Sequence, residues 1–305
     1  MDLCKCRMED VVAVSVECVV ASRSRLGEGA WWDEGDQRLW WVDIRAGLVH
    51  CFDPSGGDNA TYEVGEQIGC LARREAGGLV IATRSGLYLF DPDSGEKSCI
   101  AQPEADLPGN RFNDGGTDPV GRFWAGTMKD DGGPREARGR FYRLDDDHSV
   151  TAFFDPLFTT NGLAHSPDGK TMYYADTNQS IQTIWACDYD LDTGTPSGRR
   201  VLLDCRDLAG RPDGATIDID GGYWFAGVGG WQVVRVTPDG RVDRIIEMPV
   251  EKPSKVMFGG AALDTLYVTS ISEGTGEAGD QPEAGSLFAI TGLGTAGLPQ
   301  ARFRG

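Results

Sequence analysis

The chain repeats itself six times, and few folds tolerate that. A strand, a glycine turn, a second strand, a loop and a third strand recur with a period in the range that marks propellers and solenoids. The first copy runs through residues 30–32, a turn at 33–36, then 39–42 and 49–52, and the second through 71–72, the glycines at 77–78, 79–82 and 87–90. The third and fourth use turns at 118–121 and 166–169, followed by Phe123-Trp124-Ala125 and Met172-Tyr173-Tyr174-Ala175. The fifth and sixth follow Gly221-Gly222 with Tyr223-Trp224-Phe225-Ala226, and Gly259-Gly260 with Leu266-Tyr267-Val268-Thr269. No long amphipathic pattern lies between the copies. The reading is therefore an all-β, six-bladed β-propeller around a central channel.

A ring of sheets is stable only if no edge is left open. Residues 14–20 alternate like a strand and precede the first copy, so they are expected to complete the last blade and close the ring. The chain then reads as one domain over 1–305, with 1–12 a loose extension. Two polar connections, 129–139 and 271–285, are long enough to flank the channel mouth; the first is the better candidate for a lid, the second for a solvated loop.

The formal net charge of −18 repels phosphate backbones, which excludes nucleic acid as the main partner. Acidic residues 2, 9, 10 and 17 interrupt every apolar run near the start, so no signal peptide or membrane span is expected and the protein reads as cytoplasmic. In that compartment eight cysteines without a CxxC pair read as free thiols, Cys4 and Cys6 included. A monomer or weak homodimer is expected.

When the copies are superposed on their inner turn glycines, stepping back seven or eight residues lands on Glu28, Gly69, Asn113, Asn161, Asp213 and, less regularly, Ser254. In a propeller the first residues of every innermost strand converge on the axis at one end, so these side chains share a site although about fifty residues separate them. Turn chemistry also uses Asp and Asn. Asp213 is different, because the hairpin turn of its copy comes later, at 220–222. Glu28 lies between two glycines that let the backbone approach closely. Two carboxylates and an amide oxygen suit one hard divalent cation; Ca2+, Mg2+ and Mn2+ fit best, and Zn2+ is possible. His50, His148 and His165 are isolated and read as surface or satisfied core residues, and the tryptophans mostly as packing between blades. The spacing Gly292 to Gly297 resembles a dinucleotide motif but has no room for the helix such a motif requires.

Residues 26–31, 111–115, 125–128, 161–169, 212–218 and 256–269, in that order, resemble the family of gluconolactonases, regucalcin (senescence marker protein) and luciferin-regenerating enzymes. The resemblance implies hydrolysis of a sugar lactone with one divalent metal. Glu28, Asn161 and Asp213 would be its ligands, and Arg111 and Asn113 would hold the substrate. A further acidic contact after the Gly-Thr-Met run would fall at Asp131 or its neighbour Asp130. Asp213 is the expected catalytic base. Two other functions use the same ligands: a calcium-binding regulatory protein without significant turnover, and a broader ester or phosphotriester hydrolase.

Overall fold

The computed structural model describes residues 13–275 and 281–305; Cys4, Cys6 and the expected N-terminal extension lie outside them. Among the described residues there are 24 strands and no helix, hence none long and apolar enough to cross a membrane. The strands form six four-stranded antiparallel sheets, the blades of a β-propeller.

The innermost strands, numbered by blade from 1 to 6, are Gly27–Asp33, Ile68–Arg73, Asn110–Thr117, Thr160–His165, Arg211–Ile217 and Pro253–Gly259. Each contacts the innermost strands of both neighbouring blades, which closes the ring about the axis. In blades 1 to 5 the chain continues outward in simple up-and-down order. Blade 6 takes its outermost strand, Ser15–Val20, from the other end of the chain, where it pairs with Leu287–Thr291 in the register Ser15 to Thr291. The expected closure by the N-terminal strand is thus observed, and its effect is to pair an edge that would otherwise be open.

Aromatic residues on the inner strands fill the wedges between blades. Trp32 stacks on Tyr267 at 5.8 Å, joining blades 1 and 6, and Trp224 meets Phe258 edge-on at 5.9 Å, joining blades 5 and 6. Large rings suit this place because blades splay apart with distance from the axis and need volume between them.

Every innermost strand also carries a register shift near its start: between Glu28 and Trp31, Ile68 and Cys70, Phe112 and Gly115, Asn161 and Ala164, Pro212 and Ala215, and Pro253 and Val256. An extra residue at that point breaks the strict alternation of side chains and turns neighbouring residues toward the same interior. The shift explains why one phase of the repeat is polar.

A second closure has no counterpart in the sequence expectation. The segment after the last strand crosses the far mouth of the channel and ties back to the ring. Ala296 O accepts from Ile219 N at 2.9 Å, Ala301 O accepts from Thr117 Oγ1 at 2.6 Å, and Phe303 exchanges hydrogen bonds with Arg73 and Glu75 of blade 2. The guanidinium of Arg302 grips the Asp33 carboxylate of blade 1 at 2.8 Å. The phenyl ring of Phe303 is fully buried in the core shared by blades 1 to 3. The substitution Phe303→Ala should cost about 3–5 kcal/mol, the range for truncating a buried aromatic. Denaturant unfolding checks this, and a loss under about 1 kcal/mol would mean that the tail is only laid on the surface.

Candidate active site

Glu28, Asn161 and Asp213, from blades 1, 4 and 5, line one cavity of about 300 Å³ at the near mouth of the channel, together with Arg111 and Asn113. The two carboxyl groups act on each other electrostatically across this cavity. Glu28 is 4% exposed and Asp213 6%. Burial, the charge of Asp213 and the charge of Asp114 push the Glu28 carboxyl well above the usual carboxylate range. Burial and then Asp114 raise that of Asp213 to about 7, against the opposing pull of Arg211, Glu28 and Lys255. Two like charges held this closely out of water need either a proton or a cation between them.

The third acidic group sits one tier deeper. Asp114 follows Asn113 directly, and the register shift of blade 3 buries both side chains. Asp114 Oδ1 accepts from Lys255 Nζ of blade 6 at 2.7 Å, and Asp114 Oδ2 accepts from Leu163 N at 3.2 Å. Lys255 is 2% exposed, and its chain passes over Gly214, where a Cβ would collide with it. The ion pair lies between the near cavity and a second one of about 310 Å³, which Lys255 also lines and residues 298–301 roof. Within this buried group Lys255 pairs with Asp114, which leaves Glu28 and Asp213 without an ion pair among the described residues.

That residue set fits one divalent cation. Among the described residues no three His, Cys, Asp or Glu side chains form a ready metal cage. The candidate ligands are instead two carboxylates and an amide, which leave positions for water or substrate and suit a hard ion.

The amide is held in place by a line of contacts across four blades. Arg45 of blade 1 forks onto Asp130 at 2.6 and 3.2 Å, and Asp130 Oδ2 also accepts from Arg111 Nε at 2.9 Å. Burial works against the ionised form of Asp130, but Arg45 and Arg111 together bring its pKa down to about 2. Arg111 Nη1 donates to Asn113 Oδ1 at 2.6 Å, and Asn113 Nδ2 donates to Asn161 Oδ1 at 2.8 Å and to Thr160 O at 2.9 Å. Asn161 Nδ2 in turn donates to Thr177 Oγ1, which donates to Pro212 O beside Asp213, both at 2.6 Å.

Two expectations are narrowed by this geometry. Arg111 and Asn113 reach the cavity, but both Asn113 N–H donors serve Asn161 and the backbone, and only Nη2 of Arg111 takes no hydrogen bond among the described residues. Of the two candidates for the further acidic contact, Asp131 faces solvent and accepts from Gly133 N at 2.9 Å, whereas Asp130 contacts Arg111, and neither lines the cavity itself. At the two remaining positions of the phase, Gly69 offers no side chain, and Ser254 Oγ donates to Gly27 O between blades. His50 and His165 are buried and His148 is exposed, and none of the three reaches this cavity.

The sequence reading missed Lys255, Thr177, Arg135 and Arg211. Lys255 had a signal, since it directly follows Ser254 at the shared phase. Arg135 lies in the 129–139 connection expected at the channel mouth, although nothing singled out the residue itself, and Thr177 and Arg211 had no signal because they belong to a loop and a strand start without equivalents in the other copies.

Residues 26–272 match the family described as SMP-30/Gluconolactonase/LRE-like region. A Pseudomonas putida protein named 6-deoxy-6-sulfogluconolactonase is 39% identical over 95% of this chain and 99% of its own length. Regucalcin of Xenopus laevis is 36% identical over 96% of this chain and 99% of its own. The crystal structure of a calcium-binding protein, regucalcin, from Agrobacterium tumefaciens superposes with a TM-score of 0.89 at 29% identity, covering 95% of this chain and 97% of that one.

Two measurements probe the buried charges. Lys255→Met leaves Asp114 without its partner and should destabilise by about 3–5 kcal/mol, a loss that the double change with Asp114→Leu should largely recover. The second concerns pH. The Asp213 carboxyl is raised from 3.8 to about 7, so the folded protein holds a proton that the unfolded chain releases, and stability without added metal should fall as pH rises from about 4 to 7. Calcium added to chelator-treated protein should therefore raise the melting temperature more at pH 7.5 than at pH 5. An equal rise at both would contradict the assigned burial of charge.

Proposed function

The chain belongs to the SMP-30/gluconolactonase/LRE-like family, and on that premise we propose that it hydrolyses a sugar lactone to the open acid, using one divalent cation held by Glu28, Asn161 and Asp213. The observation that carries the proposal is the pair of buried carboxylates in one cavity with an amide oxygen from a third blade. A cation bound there supplies a Lewis acid for the ring carbonyl and a counter-charge for the oxyanion that forms on it. An all-oxygen set of charge −2 favours calcium, magnesium or manganese over zinc.

In this reading Asp213 carries the proton. Its carboxylate takes one from the water that adds to the carbonyl carbon, and returns it to the ring oxygen as the carbon–oxygen bond opens. Glu28 beside it keeps negative charge at the floor of the cavity. Asn113 orients the Asn161 amide so that its Oδ1 faces the floor, and Arg111 fixes Asn113 while Nη2 is left for a substrate hydroxyl. Arg111 therefore acts mainly as a positioning residue, and the substrate is gripped elsewhere as well.

The test is a pH-stat assay on aldonolactones after chelation and after return of Ca2+, Mg2+, Mn2+ or Zn2+ in turn. Chelated enzyme should fall to the spontaneous rate and recover with at least one ion. Asp213→Asn, nearly the same shape without the charge, should lower kcat by roughly 10²–10⁴ with an unchanged circular dichroism spectrum. Turnover near the original rate in a metal-loaded Asp213→Asn variant would remove Asp213 from the mechanism. Absence of acceleration with every ion would favour a binding protein without turnover.

A further inference from the structure

Two guanidinium groups open onto the near cavity without an ion pair to any described carboxylate, although the charge of Arg211 acts on the nearby Asp213 carboxyl. Arg211 begins the innermost strand of blade 5, two residues before Asp213, and Arg135 belongs to the loop between the second and third strands of blade 3. Neither forms an ion pair with any described residue; Arg135 donates one hydrogen bond, to Lys129 O at 3.3 Å, and Arg211 donates none. The loop is held over the mouth by Lys129, whose Nζ donates to Pro134 O and Glu136 Oε1, both at 2.9 Å.

The contrast with the other arginines of this mouth is what makes the pair informative. Arg111 is bound to Asp130, and Arg45 to Asp130 and Glu273. In a chain carrying 47 acidic and 29 basic side chains, carboxylates for two more guanidiniums are plentiful. Hydroxyl groups of a neutral sugar do not need an unneutralised charge, and Asn178 and Gln179 on the same wall would serve them. An oxyanion does need one. A guanidinium presents parallel N–H donors that match two oxygens of a sulfonate, phosphate or carboxylate, which an ammonium cannot do.

We propose that the lactone taken by this site carries a fixed negative charge at the end remote from the ring carbonyl, and that Arg135 and Arg211 bind that anionic group. The proposal rests on the lactonase reading above and adds a substrate class and an orientation to it. With the cation bound, the Glu28 and Asp213 carboxylates at the floor are balanced in charge, so the orienting charge is that of the two arginines, which attract an anion. An anionic lactone is therefore held one way round, with its carbonyl toward the floor and its charged end toward the arginines.

The test compares kcat/KM for neutral gluconolactone with that for analogues bearing a 6-sulfonate, a 6-phosphate or a 6-carboxylate, in the metal-loaded original protein and in Arg135→Gln and Arg211→Gln. The original protein should prefer at least one anionic lactone, and the panel identifies which anion. Each substitution should lower the anionic-to-neutral ratio by about tenfold or more, mostly through KM, as expected for removing a charge-assisted hydrogen bond. Added NaCl should reduce the same ratio. Calorimetric binding of the anionic aldonate products gives a readout separate from turnover, and should weaken in both variants. A preference for the neutral lactone, or a ratio that neither substitution changes, would overturn the proposal. If no lactone is hydrolysed but anionic aldonates still bind through the two arginines, the anion site stands and the lactonase reading fails.

Discussion

Charge imbalance on the propeller axis is the constraint on which the other features of this molecule depend. Glu28, Asp213 and Asp114 are all withdrawn from water, and the buried Lys255 pairs with one of them, Asp114. Isolated buried charges are costly enough that proteins neutralise them by proton uptake, by pairing or by a bound ion. Here the first two are visible in one column of residues, and a cavity lies beside them. Asp114 is paired, Asp213 and Glu28 have carboxyl groups displaced toward the protonated form, and the pocket they share has room for a cation. The ion pair beneath also makes a floor: Lys255 crosses the axis over Gly214 and separates the near cavity from the far one.

The propeller supplies what such a column needs, namely side chains from remote parts of the chain at fixed mutual positions. Asn161 shows how tightly the position is specified. An amide on a strand could present either its oxygen or its nitrogen to the axis. Asn113 Nδ2 on one side and Thr177 Oγ1 on the other remove that freedom, because only one orientation satisfies both partners. Asn113 is in turn set by Arg111, and Arg111 by Asp130, so an ion pair between blades 1 and 3 determines how an amide on blade 4 faces the cavity. Buried networks of this kind rigidify a site more than their separate bonds suggest.

How far all this could be read from the sequence depends on which residues repeat. The six copies announced the blades, and residues 14–20 announced the closing strand, because alternation and glycine turns are local signals. Glu28, Asn161 and Asp213 stood out because one phase of the repeat was polar where a packed strand should be apolar. The sequence left Asp130 and Asp131 open because the strand ends there: of two neighbouring aspartates only one faces inward, and the Arg45 and Arg111 guanidiniums that draw Asp130 inward are 85 and 19 residues away. The 129–139 loop was legible as a candidate for the channel mouth, but the roles of Arg135, Arg211 and the C-terminal segment were not, for a related reason. They occur once, so nothing in the periodicity singles them out, and their role exists only after the ring has formed.

The two ends of the channel then take opposite functions. At the far mouth the tail from 292 onward is fastened to several blades, with Phe303 in the core and Arg302 on Asp33, and the cavity beneath it has Lys255 as part of its wall. That end is covered by the tail through hydrogen bonds and packing. The near mouth is bordered instead by side chains of loops, among them Arg135, Asn178 and Gln179. Strand starts converge there, and loops can vary without disturbing the blades. A ring of this kind therefore separates its tasks along the axis: the inner strands fix the charges, the tail stops one exit, and the loops around the other decide what may enter.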